Sequence, residues 1–245
     1  MVTTSAAAGP AELAAALRQA GVREIDTATR RRAEYSSDAS NYRVVPAVVA
    51  FPRHTDEIAA ALEVCRRLGV PLVPRGGGTS IAGNALSTGV VLDLSRHLNR
   101  VVEIDPQART AVAEPGTVLD SITATAAPYG LRFGPDPSTH SRATIGGAIG
   151  NNACGSRALR YGRTADNVVA LDVITGAGTR MVARRYGRDG AAGAPGPDPG
   201  AEAGAQSGPQ PGRLPGLQPG TEAGLVSALG DLIDGRLATV RTPAG

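Results

Sequence analysis

Apolar residues recur along this chain with two periods, and they divide it into short elements. Between Pro10 and Gly21, Leu13, Leu17 and Ala20 share one helical face, with proline in the first turn and glycine at the stop. Arg30 to Asn41 is polar and reads as loop, and Ala47 to Phe51 is a short apolar strand ended by Pro52. A second helix follows, with Thr55 as its expected cap and Asp56 and Glu57 in the first turn. Ile58, Ala61, Leu62, Cys65 and Leu68 form its stripe, which places Cys65 in the core, and Gly69 closes it. A strand from Val70 to Pro74 then runs into three glycines. Strand, helix, strand and loop make a small α/β unit.

The second half reads differently. Gly89 to Leu94, Arg100 to Ile104 and Arg109 to Ala113 are strands, the last two joined by a turn at Asp105-Pro106-Gln107-Ala108. A helix expected to be capped by Thr117 carries Val118, Leu119, Ile122 and Ala126 and closes near Gly130. Prolines stiffen Leu131 to His140 against helix, and Tyr161 to Asp166 reads as loop. Val168 to Ile174 and Thr179 to Ala183 flank Thr175-Gly176-Ala177-Gly178 as a hairpin. From 187 to 222 seventeen of 36 residues are glycine or proline, too little apolar surface to offset ordering, so the stretch reads as disordered or an extended linker. A short helix is expected around Leu225, Leu229, Leu232 and Ile233.

Two glycine-rich stretches carry the candidate chemistry. In Arg75-Gly76-Gly77-Gly78-Thr79-Ser80, successive N–H groups form a nest for phosphate oxygens, with two hydroxyls and a guanidinium beside them. A glycine-rich surface turn is the competing reading. A Rossmann fingerprint fails because Ile81 holds its last glycine position, and Walker A fails because Asn84 and Ala85 follow Gly83. A nucleophile elbow fails at Ala82. In the second stretch, Thr144 to Gly155, the glycines at 146, 147, 150 and 155 allow either close approach to a flat or anionic ligand or tight helix packing.

Composition narrows the function classes. Aromatics are 3% of the chain, so the core is Val, Leu, Ile and Ala. All 25 basic residues are arginine, and without lysine a P-loop hydrolase is excluded. The net charge of +3 is scattered apart from Arg30-Arg31-Arg32 and Arg184-Arg185, which speaks against nucleic acid. Cys65 and Cys154 lie far apart and form no paired motif, which suggests a reducing, cytoplasmic setting. The histidines His54, His97 and His140 share no metal-ligand spacing, so no metal site is expected. No signal-peptide pattern opens the chain, and no apolar run is long enough to span a membrane.

Five motifs appear in order: residues 74–80 (Pro-Arg-Gly-Gly-Gly-Thr-Ser), 134–138 (Gly-Pro-Asp-Pro-Ser), 144–147 (Thr-Ile-Gly-Gly), 151–155 (Asn-Asn-Ala-Cys-Gly) and 161–166 (Tyr-Gly-Arg-Thr-Ala-Asp). Together they resemble the FAD-binding domain of the FAD-linked oxidases, above all the long bacterial D-lactate and D-2-hydroxyglutarate dehydrogenases that add an iron–sulfur region. The resemblance covers roughly residues 34 to 183, and 224 to 241 weakly. It implies an α+β fold of PCMH type with two α/β subdomains, about 34–97 and from about 98, and the second incomplete. Residues 1–33 form a lead-in to this 34–186 domain, 187–222 an insert, and 223–245 a helix returning to the second subdomain.

The same resemblance assigns roles. Arg75, Gly76, Gly77, Gly78, Thr79 and Ser80 would hold the FAD pyrophosphate, and Asn84 is a further cofactor-binding residue. Pro135, Asp136 and Ser138 would lie along the cofactor, and Thr144, Gly146, Gly147, Asn151 and Gly155 would support the ribityl chain and flavin. Val168 or Val169 would meet the adenine side through backbone atoms. Glycine at 76–78, where covalent members can carry histidine, implies non-covalent FAD. Cys154 is expected to be a small buried thiol, and His54 and His140 to stand away from the chemistry. The substrate cap, with its arginines and catalytic histidine, and the iron–sulfur ligands are not found, so no catalytic residue is assigned. A 2-hydroxy acid would be a substrate only with those parts supplied. The alternative is a non-catalytic FAD-binding module or an inactive fragment.

Overall fold

A computed structural model describes residues 9–184 and 235–241; the 187–222 linker and the helix expected around Leu225 to Ile233 lie outside the described residues. In chain order the elements are α1 (Pro10–Gln19), β1 (Ile25–Asp26), α2 (Thr29–Glu34), β2 (Val48–Ala50), α3 (Thr55–Leu68), β3 (Leu72–Arg75) and β4 (Val90–Asp93). Then follow β5 (Val101–Asp105), β6 (Thr110–Ala113), α4 (Leu119–Ala126), α5 (Ile145–Gly150), α6 (Ala158–Tyr161), β7 (Val168–Ile174), β8 (Arg180–Arg184) and β9 (Gly235–Arg241). The fold is α+β, built on two sheets.

The first sheet runs β1-β2-β4-β3, with β4 parallel to both β2 and β3. Every residue of β2 and β4 is buried, as expected for central strands covered on both faces. Leu13 and Leu17 of α1 and Ile58, Ala61 and Cys65 of α3 cover one face, packed with Val48, Ala50, Val90 and Leu92. The ends of α3 complement its dipole: Asp56 and Glu57 stand in the first turn, Arg66 and Arg67 in the last, and Gly69 closes it at φ 64°.

Three local readings are corrected here. Thr55 is the first helical residue of α3, not its cap; His54 holds that place without a side-chain bond. Thr117 does not cap α4 either, because its hydroxyl donates to the Arg100 carbonyl at 3.0 Å. The α4 amides of Leu119 and Asp120 instead donate to the carbonyls of Ala143 and His140, at 3.0 and 3.3 Å. The polar stretch after Arg30 was read as loop, yet α2 is helical. Arg30 and Arg31 pair with Glu34 at 3.0 and 2.6 Å, and Asp26 accepts from the Ala28 amide at 2.8 Å. Ion pairs at helical spacing support that turn where no apolar period could show it.

The second sheet is antiparallel, in the order β5-β6-β9-β7-β8. Its hairpins turn as expected. The Asp105 carboxylate accepts from the Gln107 and Ala108 amides at 2.9 Å, and Gly178 turns at φ 85°. The described part of 223–245, expected as helix, is strand β9. It pairs with β6 on one side and β7 on the other, from Thr110↔Arg241 and from Val168↔Val240. Leu119 and Ile122 of α4 and Ile145, Ala148 and Ile149 of α5 form the core with Ala111, Ala113 and Phe133.

The two sheets meet at a tight junction. A Cβ on Gly116 would stand 2.1 Å from the Leu94 carbonyl oxygen, and the Gly116 amide donates to the Leu98 carbonyl at 2.7 Å. Buried Glu114 accepts from the Arg100 amide at 2.8 Å and pairs with its guanidinium at 2.7 Å. Truncating the fully buried Ile58 to alanine is expected to cost about 2–5 kcal/mol in urea unfolding, whereas Val102→Ala on the surface should stay within about 0.5 kcal/mol.

Candidate functional site

The strand β3 ends at Arg75, and the loop beyond it reaches across to the second sheet's domain. A Cβ on Gly76 would fall 2.0 Å from Thr144 Oγ1, and one on Gly77 would fall 2.2 Å from the Arg142 carbonyl oxygen. Gly78 turns at φ 64°, and a Cβ there would meet Arg75 Nη2 at 2.5 Å. The three glycines therefore serve packing as well: two let the loop lie on residues 142–144, and the third makes room for a guanidinium. Behind the loop, the Ala39 amide donates to the Gly78 carbonyl at 3.0 Å.

Between the loop and α5 lies a cleft of about 320 Å³, lined by Pro74, Arg75, Gly76 and Asn84 on one side and Thr144, Gly146, Gly147 and Asn151 on the other. Leu94 and Pro115 contribute to its floor. Asn84 Nδ2 donates to Asn151 Oδ1 at 2.8 Å across the two walls, and Asn151 Nδ2 donates to the Gly147 carbonyl at 2.9 Å. Among the described lining residues Arg75 alone carries a charge.

The two walls differ in what they offer a ligand. At α5 the Ile145 and Gly146 amides donate to the carbonyls of Thr117 and Pro115, both at 2.8 Å, and Thr144 Oγ1 accepts from Gly147 at 3.4 Å. Those donors are taken. The amides of Gly76, Gly77, Gly78, Thr79 and Ser80 find no acceptor among the described residues. Arg75 Nη1 is buried, also without a hydrogen-bond partner. A run of amides open on a half-buried loop, next to a guanidinium with one buried and unpaired nitrogen, suits an oxyanion, since successive N–H groups form a nest and buried donors such as Nη1 are normally paired. The residues present fit a pyrophosphate.

A polar cluster backs this wall. Arg75 stacks on the Tyr35 ring at 5.0 Å, and the Tyr35 hydroxyl donates to Asp93 Oδ2 at 2.5 Å. Burial first, and then the Asp93 carboxylate, push the Tyr35 phenol far above its ordinary range, so it stays a donor. Burial works to raise the Asp38 carboxyl. Hydrogen bonds from Ser40 and the Ala85 amide, with the Arg75 charge, hold it below its usual value instead.

Of the predicted loop, only Arg75 and Gly76 line the cleft; Gly77, Gly78, Thr79 and Ser80 continue beyond it, and the remaining predicted residues also fall outside its lining. Asp136, at φ 54°, pairs with Arg132 at 3.3 Å and Arg157 at 3.1 Å, and Gly155 packs on its carbonyl, where a Cβ would stand 1.8 Å away. Pro135 is buried, and Ser138 is exposed. Val169 is 39% exposed and sits at a bulge, between Val168↔Val240 and Ala170↔Thr239, so its backbone leaves the ladder.

Two further readings are corrected. Cys154 is exposed, because Ala153 takes the inward place against the core. Tyr161–Asp166 is not simply loop. The helix α6 ends at Tyr161, and a 3-10 turn spans Thr164–Asn167, where Asp166 Oδ2 accepts from the Arg163 amide at 2.8 Å. His140 Nδ1 lies 2.6 Å from Asp120 Oδ1, and His54 ends at the start of α3; neither lines the cleft. Tyr35 and Asp93 were missed, and the one available signal was an aromatic inside a polar stretch of a chain with few aromatics.

A fold of two sheets clasping a glycine-lined cleft with an anion-seeking edge defines a cofactor-binding domain. The FAD binding domain family matches residues 46–184, and the chain belongs to that family. It is 37% identical to a D-2-hydroxyglutarate dehydrogenase of Pseudomonas putida, over 73% of this chain and 18% of that protein. It is 41% identical to the glycolate oxidase subunit GlcD of Bacillus subtilis, over 64% of this chain and 34% of that one. The solved structure of an alkyldihydroxyacetonephosphate synthase shares the fold with a TM-score of 0.67 at 17% identity, covering 95% of this chain and 40% of its own. The chain thus spans between about a sixth and two fifths of these relatives. No helix among the described residues is long and apolar enough to cross a membrane.

Two outcomes test this geometry. Gly77→Ala must displace the Arg142 carbonyl and is expected to cost about 1–3 kcal/mol in urea unfolding. Burial pushes the Cys65 thiol up to about 11, so at neutral pH a disulfide reagent should titrate one fast thiol, the exposed Cys154, and reach Cys65 only on unfolding. Raising the pH toward 11 adds Cys65 thiolate without changing that order.

Proposed function

We propose that this chain is the FAD-holding part of a flavin-dependent oxidoreductase of the D-2-hydroxy-acid class. The observation that carries the reading is the row of five open amides, Gly76 to Ser80, in the loop that leaves the cleft between the two sheets at Arg75 and Gly76. The names of the relatives from Pseudomonas putida and Bacillus subtilis supply the substrate class, D-2-hydroxyglutarate and glycolate being 2-hydroxy acids.

Bound FAD would supply a hydride-accepting ring. This chain's residues bind and orient it. In this reading the amides of Gly76, Gly77, Gly78, Thr79 and Ser80 donate to the pyrophosphate, and Arg75 neutralises its charge. Asn84 and Asn151 hold the two walls together, and Thr144, Gly146 and Gly147 present a side-chain-poor wall to the cofactor. The bulge at Val169 frees a backbone group for the adenine end. Pro135, Asp136, Ser138 and Gly155 act through the wall's shape, since Asp136 is already paired with two arginines.

FAD is held without a covalent bond, because glycine at 76–78 offers no nucleophilic side chain. Two cysteines are fewer than the four thiolates an iron–sulfur cluster takes, so such a cluster belongs to a separate region or partner. The two free thiols, Cys65 and Cys154, suit the reducing cytoplasm.

Titration of the purified chain with FAD tests the reading. Saturable quenching of flavin fluorescence is expected. At a hundredfold excess over Kd, stabilisation should be about 2.7 kcal/mol, a melting rise of roughly 5–10 °C. A folded chain that neither quenches FAD nor gains stability would sink the proposal. Bleaching of bound flavin by D-2-hydroxyglutarate or D-lactate would show the substrate class. Binding without bleaching would favour a non-catalytic FAD-binding module.

A further inference from the structure

We propose that Tyr35 is a positioning residue for the anion site: its ring, tethered through its hydroxyl to Asp93, holds the Arg75 guanidinium in place for the cofactor's phosphates. The inference rests on the reading of Arg75 as a pyrophosphate ligand and adds the residue that aims it.

Arg75 needs such a guide. It leaves the end of an edge strand, and Asp38, whose carboxyl its charge helps to lower, accepts from the Ser40 and Ala85 amides instead. A long side chain left free would lose rotamer entropy on binding an anion. Here the guanidinium has two close neighbours. Its Cζ stacks on the Tyr35 ring at 5.0 Å, and Gly78, bare of a side chain, leaves room for Nη2. Arg75 lines the cleft, and its Nη1 is buried behind that surface without a partner.

Tyr35 is itself held firmly. Its hydroxyl bonds Asp93, whose other oxygen accepts from the Ser95 amide at 2.8 Å and the Ser95 hydroxyl at 2.6 Å. Its ring meets Phe51 edge-on, with centroids 5.9 Å apart. Phe51 is buried and flanked by the Arg31 and Arg96 guanidinium groups at 5.7 and 4.6 Å. Asp93 ends β4, the central strand beside β3. The chain of contacts runs from the sheet, through Asp93 and Tyr35, to Arg75. A residue serving packing alone has no need of a carboxylate tether on one end and a cation on its face.

A double-mutant cycle on the FAD dissociation constant, with melting of the FAD-free chain measured alongside, decides the matter. Arg75→Gln should weaken FAD by about tenfold or more, the scale of one lost charge-assisted contact. Tyr35→Leu should weaken it about threefold to tenfold, the range of a lost cation–π contact. In the Arg75→Gln background Tyr35→Leu should add nothing, because it acts only through the guanidinium. Tyr35→Phe keeps the face but loses the Asp93 tether, and its affinity should fall between those of the wild type and Tyr35→Leu. Tyr35→Met runs the same cycle should Tyr35→Leu fail to fold. Additive losses in the cycle, or a Tyr35→Leu chain that binds FAD as the wild type does, would overturn the inference and leave the Arg75 reading standing. Wild-type affinity in Arg75→Gln would instead overturn the pyrophosphate reading, and this inference with it.

Discussion

The arrangement of the molecule depends on one close approach: the Gly76-Gly77 backbone lying on Arg142 to Thr144 of the opposite half. A methyl group at either glycine would stand within about van der Waals overlap of Thr144 or of the Arg142 carbonyl, at 2.0 and 2.2 Å. A side chain at Gly77 cannot be accommodated without moving backbone, and one at Gly76 must displace the Thr144 side chain. This contact and the Gly116 junction, where a Cβ would stand 2.1 Å from the Leu94 carbonyl oxygen, place the halves relative to each other. The cleft lies between these two constraints. Its width follows from missing side chains, so the site exists because glycine occurs where the sheets must meet.

Charge then decides which wall of the cleft does what. The α5 wall has spent its first amides on the Thr117 and Pro115 carbonyls and on Thr144. The opposite wall keeps its loop amides and one nitrogen of Arg75 unpaired. A buried guanidinium nitrogen without an acceptor is costly, and stacking on Tyr35 offsets that in part. An anion in the cleft would satisfy the remainder. The asymmetry separates an anion-binding edge from a smooth, side-chain-poor face, as a cofactor with a charged middle and a flat ring requires.

Much of this was legible in the sequence. Apolar periodicity located α1, α3, the central strands and both hairpins, because burial leaves a regular mark. The glycine stretches also announced themselves. Three features left no such mark. The helix α2 is held by ion pairs among Asp26, Arg30, Arg31 and Glu34, which look like loop composition. The start of α4 follows tertiary contacts rather than the nearest threonine, and α3 starts after His54 with no side-chain cap at all. Of the proposed ligands, Asp136 is spoken for by Arg132 and Arg157, partners set by the fold and not by spacing. Tyr35 and Asp93, 58 positions apart, meet only once β2 and β4 are paired.

The strand β9 shows the same limit on a larger scale. Its seven residues hold the middle of the second sheet, yet they lie beyond β8 by residues 185–234. Closing such a separation is less costly than it looks, since each doubling of loop length adds only about 0.6 kcal/mol. What the separation costs is locality: β6 and β7 become neighbours only through a strand far along the chain. The first sheet closes on strands from within residues 25–93, and the second cannot close without β9. The α5 wall of the cleft stands on that second sheet, packed on β6 and β7 residues such as Ala111 and Leu171. The anion-binding wall stands on the first. A ligand spanning the cleft therefore couples a half that is complete early in the chain to one that waits for its central strand.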